Sequence, residues 1–184
     1  MVFETTANPV LLLDAERRIV SLNDAALRLL GGDRARLLGS GLGDSVLPAE
    51  RERATTEWQE FLSSGEYAGT RHLLRPDGST VHVDFAARLA DVDGERRAIY
   101  VATDHEDGGA ADGGPSSAEL ALTAREREVV MQIALGRETA EIATELQVSP
   151  ETVRSHVRNA MSKLDVHTRA QLVAVVLCDE GVAG

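Results

Sequence analysis

The stretch that decides the fold of the C-terminal part of this 184-residue chain is SPETVRSHVRNAMSKL, residues 149–164. Ser149 is a good helix N-cap, because its hydroxyl can accept a hydrogen bond from a backbone N–H of the first turn, and Pro150 suits the first helical position. The apolar side chains of the stretch fall on one side of such a helix, within about 40° of one another: Val153, Val157, Ala160 and Leu164. The sequence therefore predicts a helix over about residues 150–164 with one buried face.

The other side of this predicted helix is polar and basic. Arg154, Ser155 and Arg158 lie on or beside the side opposite the apolar face. An arginine can place two donors on guanine O6 and N7, so such residues near a helix N-terminus can contact base edges in the major groove. Three neighbours are better placed for phosphate contacts: Thr152, Asn159 and Lys163. The alternative interpretation is an ordinary solvated, charged helix face.

The residues around this stretch predict three further helices. Thr123 and Glu126 have the spacing of a capping box, and the helix that they open ends at Gly136. A second helix, over about 139–147, is separated from the helix at 150 by a short turn, which is the arrangement of a helix-turn-helix. Thr168 and Gln171 form another capping-box pattern and open a last, unusually apolar helix. Its apolar face would either support a dimer or pack on its own domain.

The region before the helices has the period of a sheet, with an order of β-β, helices, then β-β-β. Turn signals at residues 75–78 and at 93–94 predict antiparallel hairpins. The predicted strands are 10–13, 19–22, 67–74, 80–89 and 97–103, and the predicted helices are 24–30 and 49–63. The fold class is thus an α+β domain with an antiparallel sheet, followed by a small all-α four-helix domain.

A composition break divides the chain into two predicted domains, 1–104 and 119–184. Residues 105–118 are rich in Gly, Asp and Ser and have almost nothing to bury, so they are predicted to form a flexible linker. Such a linker would let the two domains move independently unless they also touch.

The order of elements in the first domain resembles the PAS sensory fold. Two motifs carry this resemblance, the run NDAA at 23–26 followed by LLG at 29–31, and the turn RPDGS at 75–79. The resemblance covers roughly residues 5–104. The alternative is another small α+β domain.

The helical domain resembles a LuxR-type DNA-binding domain. The matching residues are LT and REREV at 122–129, EIA at 141–143, Leu146, VS at 148–149, TVR at 152–154, His156, Asn159, KL at 163–164 and Val166. The resemblance implies base contacts from Arg154, Ser155 and Arg158, and DNA backbone contacts around Thr139, Thr152, Asn159 and Lys163. The chain departs from the family pattern at 138–140, where ETA replaces the usual Ser-Asn-Lys and removes a cation. Asp165 stands where Gly is common, and Asp tolerates the left-handed conformation that this helix end needs.

The overall charge is unfavourable for nucleic-acid binding, whereas the local charge is favourable. The net charge is −11 at pH 7, but residues 152–170 carry four basic side chains and one acidic side chain. The longest apolar runs are too short to span a bilayer, no signal peptide is recognisable, and Cys178 is the only cysteine, which excludes an internal disulfide. A cytoplasmic protein is expected.

Cofactor chemistry in the first domain finds little support in the sequence. The domain has no cysteine for a covalent flavin or chromophore, and the long helix at 49–63 has no histidine for haem. His72 and His82 are expected to be exposed strand residues, since His82 alternates with the inward-facing residues Val81, Val83 and Phe85. No cofactor and no metal are predicted, and the fold leaves room for a non-covalent small ligand.

The residues and the two resemblances together indicate a bacterial transcriptional regulator. It would bind double-stranded promoter DNA as a homodimer, act with RNA polymerase, and be controlled by or dimerised through its PAS domain. The only lysine, Lys163, is outside the first domain, which excludes a phosphorylated receiver, and no catalytic motif is present, so an enzyme is not expected. The alternative function is a PAS-containing protein-interaction adaptor whose helix-turn-helix no longer binds DNA.

Overall fold

A computed structural model describes residues 2–104 and 122–179 of the chain. The strands are β1 (Val10–Leu13), β2 (Ile19–Leu22), β3 (Glu66–Leu74), β4 (Thr80–Val92) and β5 (Glu95–Asp104). The helices are α1 (Val2–Thr5), α2 (Asp24–Leu30), α3 (Arg34–Leu37), α4 (Arg51–Ser64), α5 (Ala124–Ala134), α6 (Thr139–Glu145), α7 (Pro150–Lys163) and α8 (Arg169–Asp179). The predicted element order is confirmed, and the predicted linker at 105–118 lies outside the described residues.

The five strands form one antiparallel sheet in the order β2-β1-β5-β4-β3. Both predicted hairpin turns are present. Arg75 donates its N–H to the carbonyl of Ser79 at 2.9 Å across a turn in which Gly78 has a φ of 84°. Asp93 and Gly94 have φ values of 54° and 79°, which is the left-handed pair that a tight hairpin with the right twist requires.

Helices α2, α3 and α4 cover one face of the sheet, here called the inner face. Side chains of alternate strand residues pack there against Phe61 of α4 and Leu30 of α2. The strand residues in this core include Leu11, Leu13, Val83, Phe85, Ala87, Ala98, Tyr100 and Ala102. The prediction that Val83 and Phe85 point inward is confirmed. The long helix was predicted from residue 49, but the chain first makes a 3-10 turn over Pro48–Glu50 and becomes α-helical at Arg51.

The opposite, outer face of the sheet is also apolar and is covered by the helical domain. Ile99 and Val101 of β5, with Ala86 of β4, belong to the same hydrophobic core as α5 and α8. Helix α8 lies across β4 and β5. The two domains therefore share a core. Independent movement was expected only if the domains did not touch, and in this structure they do.

The helical domain is assembled by the predicted caps. Thr123 and Glu126 form the reciprocal capping box of α5, and the Ser149 hydroxyl accepts a hydrogen bond from the Thr152 N–H at 3.1 Å. Thr168 and Gln171 form the second box, with distances of 2.9 and 3.2 Å. Helix α6 ends at Glu145, before the predicted residue 147, because Gln147 takes a φ of 53° that is incompatible with a helix.

Candidate nucleic-acid interface

Helix α7 presents two chemically distinct faces. Val153 and Ala160 are completely buried, and Val157 and Leu164 pack partly buried against the same core. Arg154 and Arg158 are exposed. The arrangement predicted from the helical spacing is therefore confirmed, and the two arginine side chains are available to an external partner.

The N-terminal turn of α7 is held in place by its own polar side chains. The Ser149 and Thr152 hydroxyls lie 2.8 Å apart, and Thr152 as a whole is half-buried. Arg154 Nη1 lies 3.2 Å from the Glu151 carboxylate, and 59% of the Arg154 side chain is exposed. An exposed pair of this kind contributes little to stability, so its arginine can exchange Glu151 for another acceptor at small cost.

Lys163 has a partner that the sequence did not predict. Its Nζ lies 2.7 Å from Oε2 of Glu126, whose side chain is only 5% exposed. The same oxygen accepts a hydrogen bond from the Thr123 N–H at 2.8 Å. The Lys163 hydrogen bond, with that from Thr123, lowers the pKa of Glu126 to about 2. The single lysine of the chain thus joins α7 to the start of α5, and a phosphate would compete with Glu126 for it.

The remaining predicted contact residues lie at different points of the domain surface. Ser155 is half-buried and Asn159 is exposed on α7, whereas Thr139 is half-buried at the start of α6. In the departing segment at 138–140, the Glu138 N–H donates to the Glu141 carboxylate at 2.8 Å, which stabilises the first turn of α6. Asp165 has a φ of 51°, so the left-handed conformation expected for this position is confirmed.

The exposed face of α7 borders a cleft of about 1680 Å³ whose opposite wall belongs to the sheet domain. Arg154 and Arg158 line one side, and Pro9, Arg28 and Arg75 line the other. Arg75 is fixed there, since its Nε donates to the carbonyl of Leu29 at 2.8 Å. No local sequence pattern indicated this cleft, because it is formed by residues that are far apart in the chain, such as Arg75 and Arg154.

A second candidate site lies between the inner face of the sheet and α4. Arg71 is 4% exposed and pairs with Glu57 of α4, and its Nη1 is buried without a hydrogen-bond partner in the described part of the chain. Burial is the larger cause, and a hydrogen bond with Glu57 the smaller one, that together raise the pKa of the neighbouring Tyr67 to about 12. The cavity beside these groups measures about 20 Å³, which holds roughly one water molecule. A larger ligand would have to displace the aromatic side chains that fill this space.

The two strand histidines form a stacked pair. The rings of His72 and His82 have centroids 4.3 Å apart, and His72 Nδ1 lies 3.0 Å from the Glu50 carboxylate. Within residues 2–104 and 122–179, no group of three or more His, Cys, Asp or Glu side chains has the arrangement of a metal site. Nor does any helix in those ranges have the length and hydrophobicity to cross a membrane.

Comparison with known proteins identifies both parts. The family described as "PAS fold" matches residues 3–105, and the family described as "Bacterial regulatory proteins, luxR family" matches residues 120–176. The chain belongs to both families. Its first part is called the PAS domain below, and its second part the luxR domain.

Individual relatives agree with this division. The spore germination protein GerE of Bacillus subtilis is 50% identical over 56 residues, which are 30% of this chain and 76% of GerE. A probable transcriptional regulatory protein NarL of Mycobacterium tuberculosis is 51% identical over 53 residues, which are 29% of this chain and 24% of NarL. The crystal structure of the PAS domain of an HTR-like protein from Haloarcula marismortui has a TM-score of 0.51 at 25% identity and covers 56% of this chain and 86% of that one. The chain thus spans about three quarters of GerE and only about a quarter of NarL.

Proposed function

We propose that this protein is a transcriptional regulator that binds double-stranded promoter DNA through α7. Arg154, Ser155 and Arg158 would contact base edges, and Thr139, Thr152, Asn159 and Lys163 would contact the DNA backbone. The main support for the proposal comes from the two sides of α7. One side is buried in the core, and the other leaves both arginines exposed. The function is one of binding and not of catalysis.

The charge distribution supports this assignment. Residues 152–170 are locally basic in a chain of net charge −11. Phosphate contacts supply most of the sequence-independent affinity for DNA, so a small basic surface in an acidic protein favours modest affinity from each copy. A homodimer on a two-fold symmetric site would combine the binding contributions of its two copies. Their two α7 helices would then lie about one DNA turn apart.

The proposed partners of the protein indicate where in the cell it would act. Promoter DNA and RNA polymerase are in the bacterial cytoplasm, where the regulator would act. The PAS domain would control DNA binding or hold the dimer together, since it is in direct contact with the luxR domain.

Footprinting on genomic DNA, followed by a salt series, tests the proposal. Wild-type protein should protect defined sites, and log affinity should fall linearly with log salt, by about 0.9 for each phosphate contact. The double substitution Arg154→Ala with Arg158→Ala should abolish site preference. Arg127→Ala is the matched control, since Arg127 is an exposed arginine that belongs to α5 and not to α7.

Two results would decide against the proposal. Specific protection that survives the double substitution would exclude the two arginines as base readers. A protein that protects no site at low salt would instead favour the adaptor function, in which the helical domain binds another protein.

A further inference from the structure

We infer that the PAS domain itself takes part in DNA binding, through contacts of Arg28 and Arg75 with the phosphate backbone beside the bases that α7 contacts. The inference rests on the proposed function, because it adds a second surface to the same DNA interface. This surface, here called the PAS wall, is the side of the cleft that Pro9, Arg28 and Arg75 line. Its partner is the duplex that α7 binds, in the stretch that flanks the contacted bases.

Two sequence motifs of the PAS domain build this wall. Helix α2 is followed by Gly31, and the turn at 75–79 packs on it, since a Cβ added at Gly31 would lie 3.7 Å from the Cδ of Arg75. The Arg75 Nε donates to the Leu29 carbonyl at 2.8 Å. This bond pairs a carbonyl in the last turn of α2, which the helix itself leaves without a partner, and it fixes the guanidinium. The packed turn thus brings Arg75 beside the helix that carries Arg28.

Both arginines of the PAS wall are available to an external anion. Arg28 is exposed and Arg75 is half-buried, and neither forms an ion pair with any residue that the structure describes. The chain has 30 acidic and only 19 basic side chains. Arginines elsewhere on the sheet are paired, as Arg88 is with Glu66 at 3.4 Å. Two arginines without a carboxylate partner in so acidic a chain therefore favour a negatively charged ligand.

The cleft is basic on both of its sides. The charged side chains that line it are Arg28, Arg75, Arg154, Arg158, Arg169, Asp84, Glu138 and Asp165. Five arginines thus face three carboxylates, of which Asp84 is only 7% exposed and Glu138 is engaged in the capping box of α6. Like charges on two facing surfaces attract an anion that lies between them. Duplex DNA is such an anion, with one negative charge for about every 1.7 Å of its axis.

The geometry of the major groove places a phosphate strand beside α7. The groove is about 12 Å wide and admits one α-helix, whose diameter with its side chains is about 10–12 Å. The two phosphate strands that border the groove therefore lie directly next to the helix that occupies it. The cleft begins at Arg154 and Arg158 of α7. One of the two strands then runs on the cleft side of the helix, where Arg28 and Arg75 lie on the facing wall.

The two surfaces have different roles in this interface. Contacts with phosphates set the position and orientation of a protein on the duplex but carry no sequence information. The PAS wall therefore raises the affinity for every sequence, whereas α7 selects the site. The luxR domain lacks the lysine that its family pattern usually has at 138–140. Arg28 and Arg75 supply positive charge to the interface from the other domain.

Salt dependence of binding by the full chain tests the PAS wall. Arg28→Gln with Arg75→Gln removes both of its charges. The matched control is Arg96→Gln with Arg18→Gln, since Arg96 is exposed, Arg18 is exposed and donates to the Gly39 carbonyl at 3.0 Å, and neither lines the cleft. Fluorescence anisotropy in a salt series gives the affinity for a mixed-sequence duplex of about 30 base pairs, enough for two half-sites. Circular dichroism verifies the fold of each variant, and footprinting on genomic DNA gives the protected positions.

The double variant of the PAS wall should lose two phosphate contacts for each bound copy. The slope of log affinity against log salt should become shallower by about 1.8 per copy, since each contact contributes about 0.9. Affinity at 0.1 M salt should fall by about tenfold or more. The protected positions should stay where they are in wild type, because α7 is unchanged. The control pair removes the same net charge and should match wild type in slope and affinity.

Three results would overturn the PAS contact while leaving the proposed function intact. They are a wild-type slope in the double variant, an equal loss in the control pair, and a change of the protected positions in a folded double variant. If the double variant does not fold, Arg28→Gln alone decides, with an expected change in slope of about 0.9 per copy. A duplex bound by none of the proteins, wild type included, would count against the proposed function itself.

Discussion

Helices α7 and α8 follow one another in the chain and have 14 and 11 residues, yet the fold uses their surfaces differently. Helix α7 has Val153 and Ala160 fully buried and arginines exposed on the other side. Helix α8 has apolar side chains buried around most of its circumference, between α5 and the PAS sheet. An amphipathic helix needs one packing partner, whereas a helix that is apolar on most sides needs two. The second partner of α8 is in another domain.

The largest effect should come from truncating the α8 core. Leu172→Ala should lower the free energy of unfolding by about 2–5 kcal/mol, because it leaves a cavity where both domains meet. Val20→Ala is the control, since Val20 is 41% exposed on β2 and should change stability by less than about 0.5 kcal/mol. Urea denaturation followed by circular dichroism gives both values. Equal effects of the two substitutions would mean that Leu172 is not buried in this shared core in solution.

The Glu126 to Lys163 contact should make stability depend on acidic pH. The pKa of Glu126 is lowered from 4.5 to about 2 in the folded state, so its stabilising effect is complete above pH 4.5 and is lost as pH falls toward 2. Urea midpoints measured across this range should fall more steeply for wild type than for Glu126→Gln, which has no such titration. Parallel curves for the two proteins would show that the pair does not hold α7 to α5.

The smallest effect is expected at the N-cap of α7. Ser149→Ala removes the acceptor for the Thr152 N–H and should cost about 1 kcal/mol. Ser162→Ala, on the exposed side of the same helix, should cost less than about 0.5 kcal/mol. The comparison uses urea midpoints at constant m-value. A Ser162 effect as large as that of Ser149 would mean that the exposed face of α7 is packed against something in solution.

Local features of the sequence were sufficient to predict α7 and the hairpins. Ser149 and Pro150 specify the start of the helix, and Asp165 specifies its left-handed end. The turn at residues 75–78 depends on Pro76 and on Gly78, which are separated by one residue. Each of these determinants acts over fewer than six residues, so the local sequence is sufficient to predict these turns and the ends of the helix.

The cover of the outer sheet face could not be predicted in this way. β1 and β5 contain uninterrupted apolar runs, VLLL at 10–13 and AIYVA at 98–102, which are typical of strands buried on both faces. That signal indicates a second layer but does not identify it. The hydrogen bond between Asn8 and the carbonyl of Ala134 has the same character, since only the completed fold brings these two residues together.

Only part of the candidate site could be predicted, because the rest of it depends on tertiary contacts. The outward arginines follow from helix geometry alone, whereas the pairing of Lys163 depends on how α7 packs against α5. The sequence predicted Glu126 as a capping residue. Its side chain is nearly buried in the folded chain, so its negative charge needs a cation nearby. The only lysine of the chain could have been suggested as that cation, but its distance to Glu126 required the tertiary structure.

The position of Trp58 has a practical consequence for spectroscopy. It is the only tryptophan in the chain, and its indole lies in the wall of the PAS cavity, with its ring 4.9 Å from that of Phe61 and its Nε1 donating to the Ala15 carbonyl. Intrinsic tryptophan fluorescence therefore reports on the PAS domain alone, whereas the far-ultraviolet signal of helices comes from both domains. The two optical signals can be recorded in one unlabelled sample, and they should change together for as long as the domains share a core.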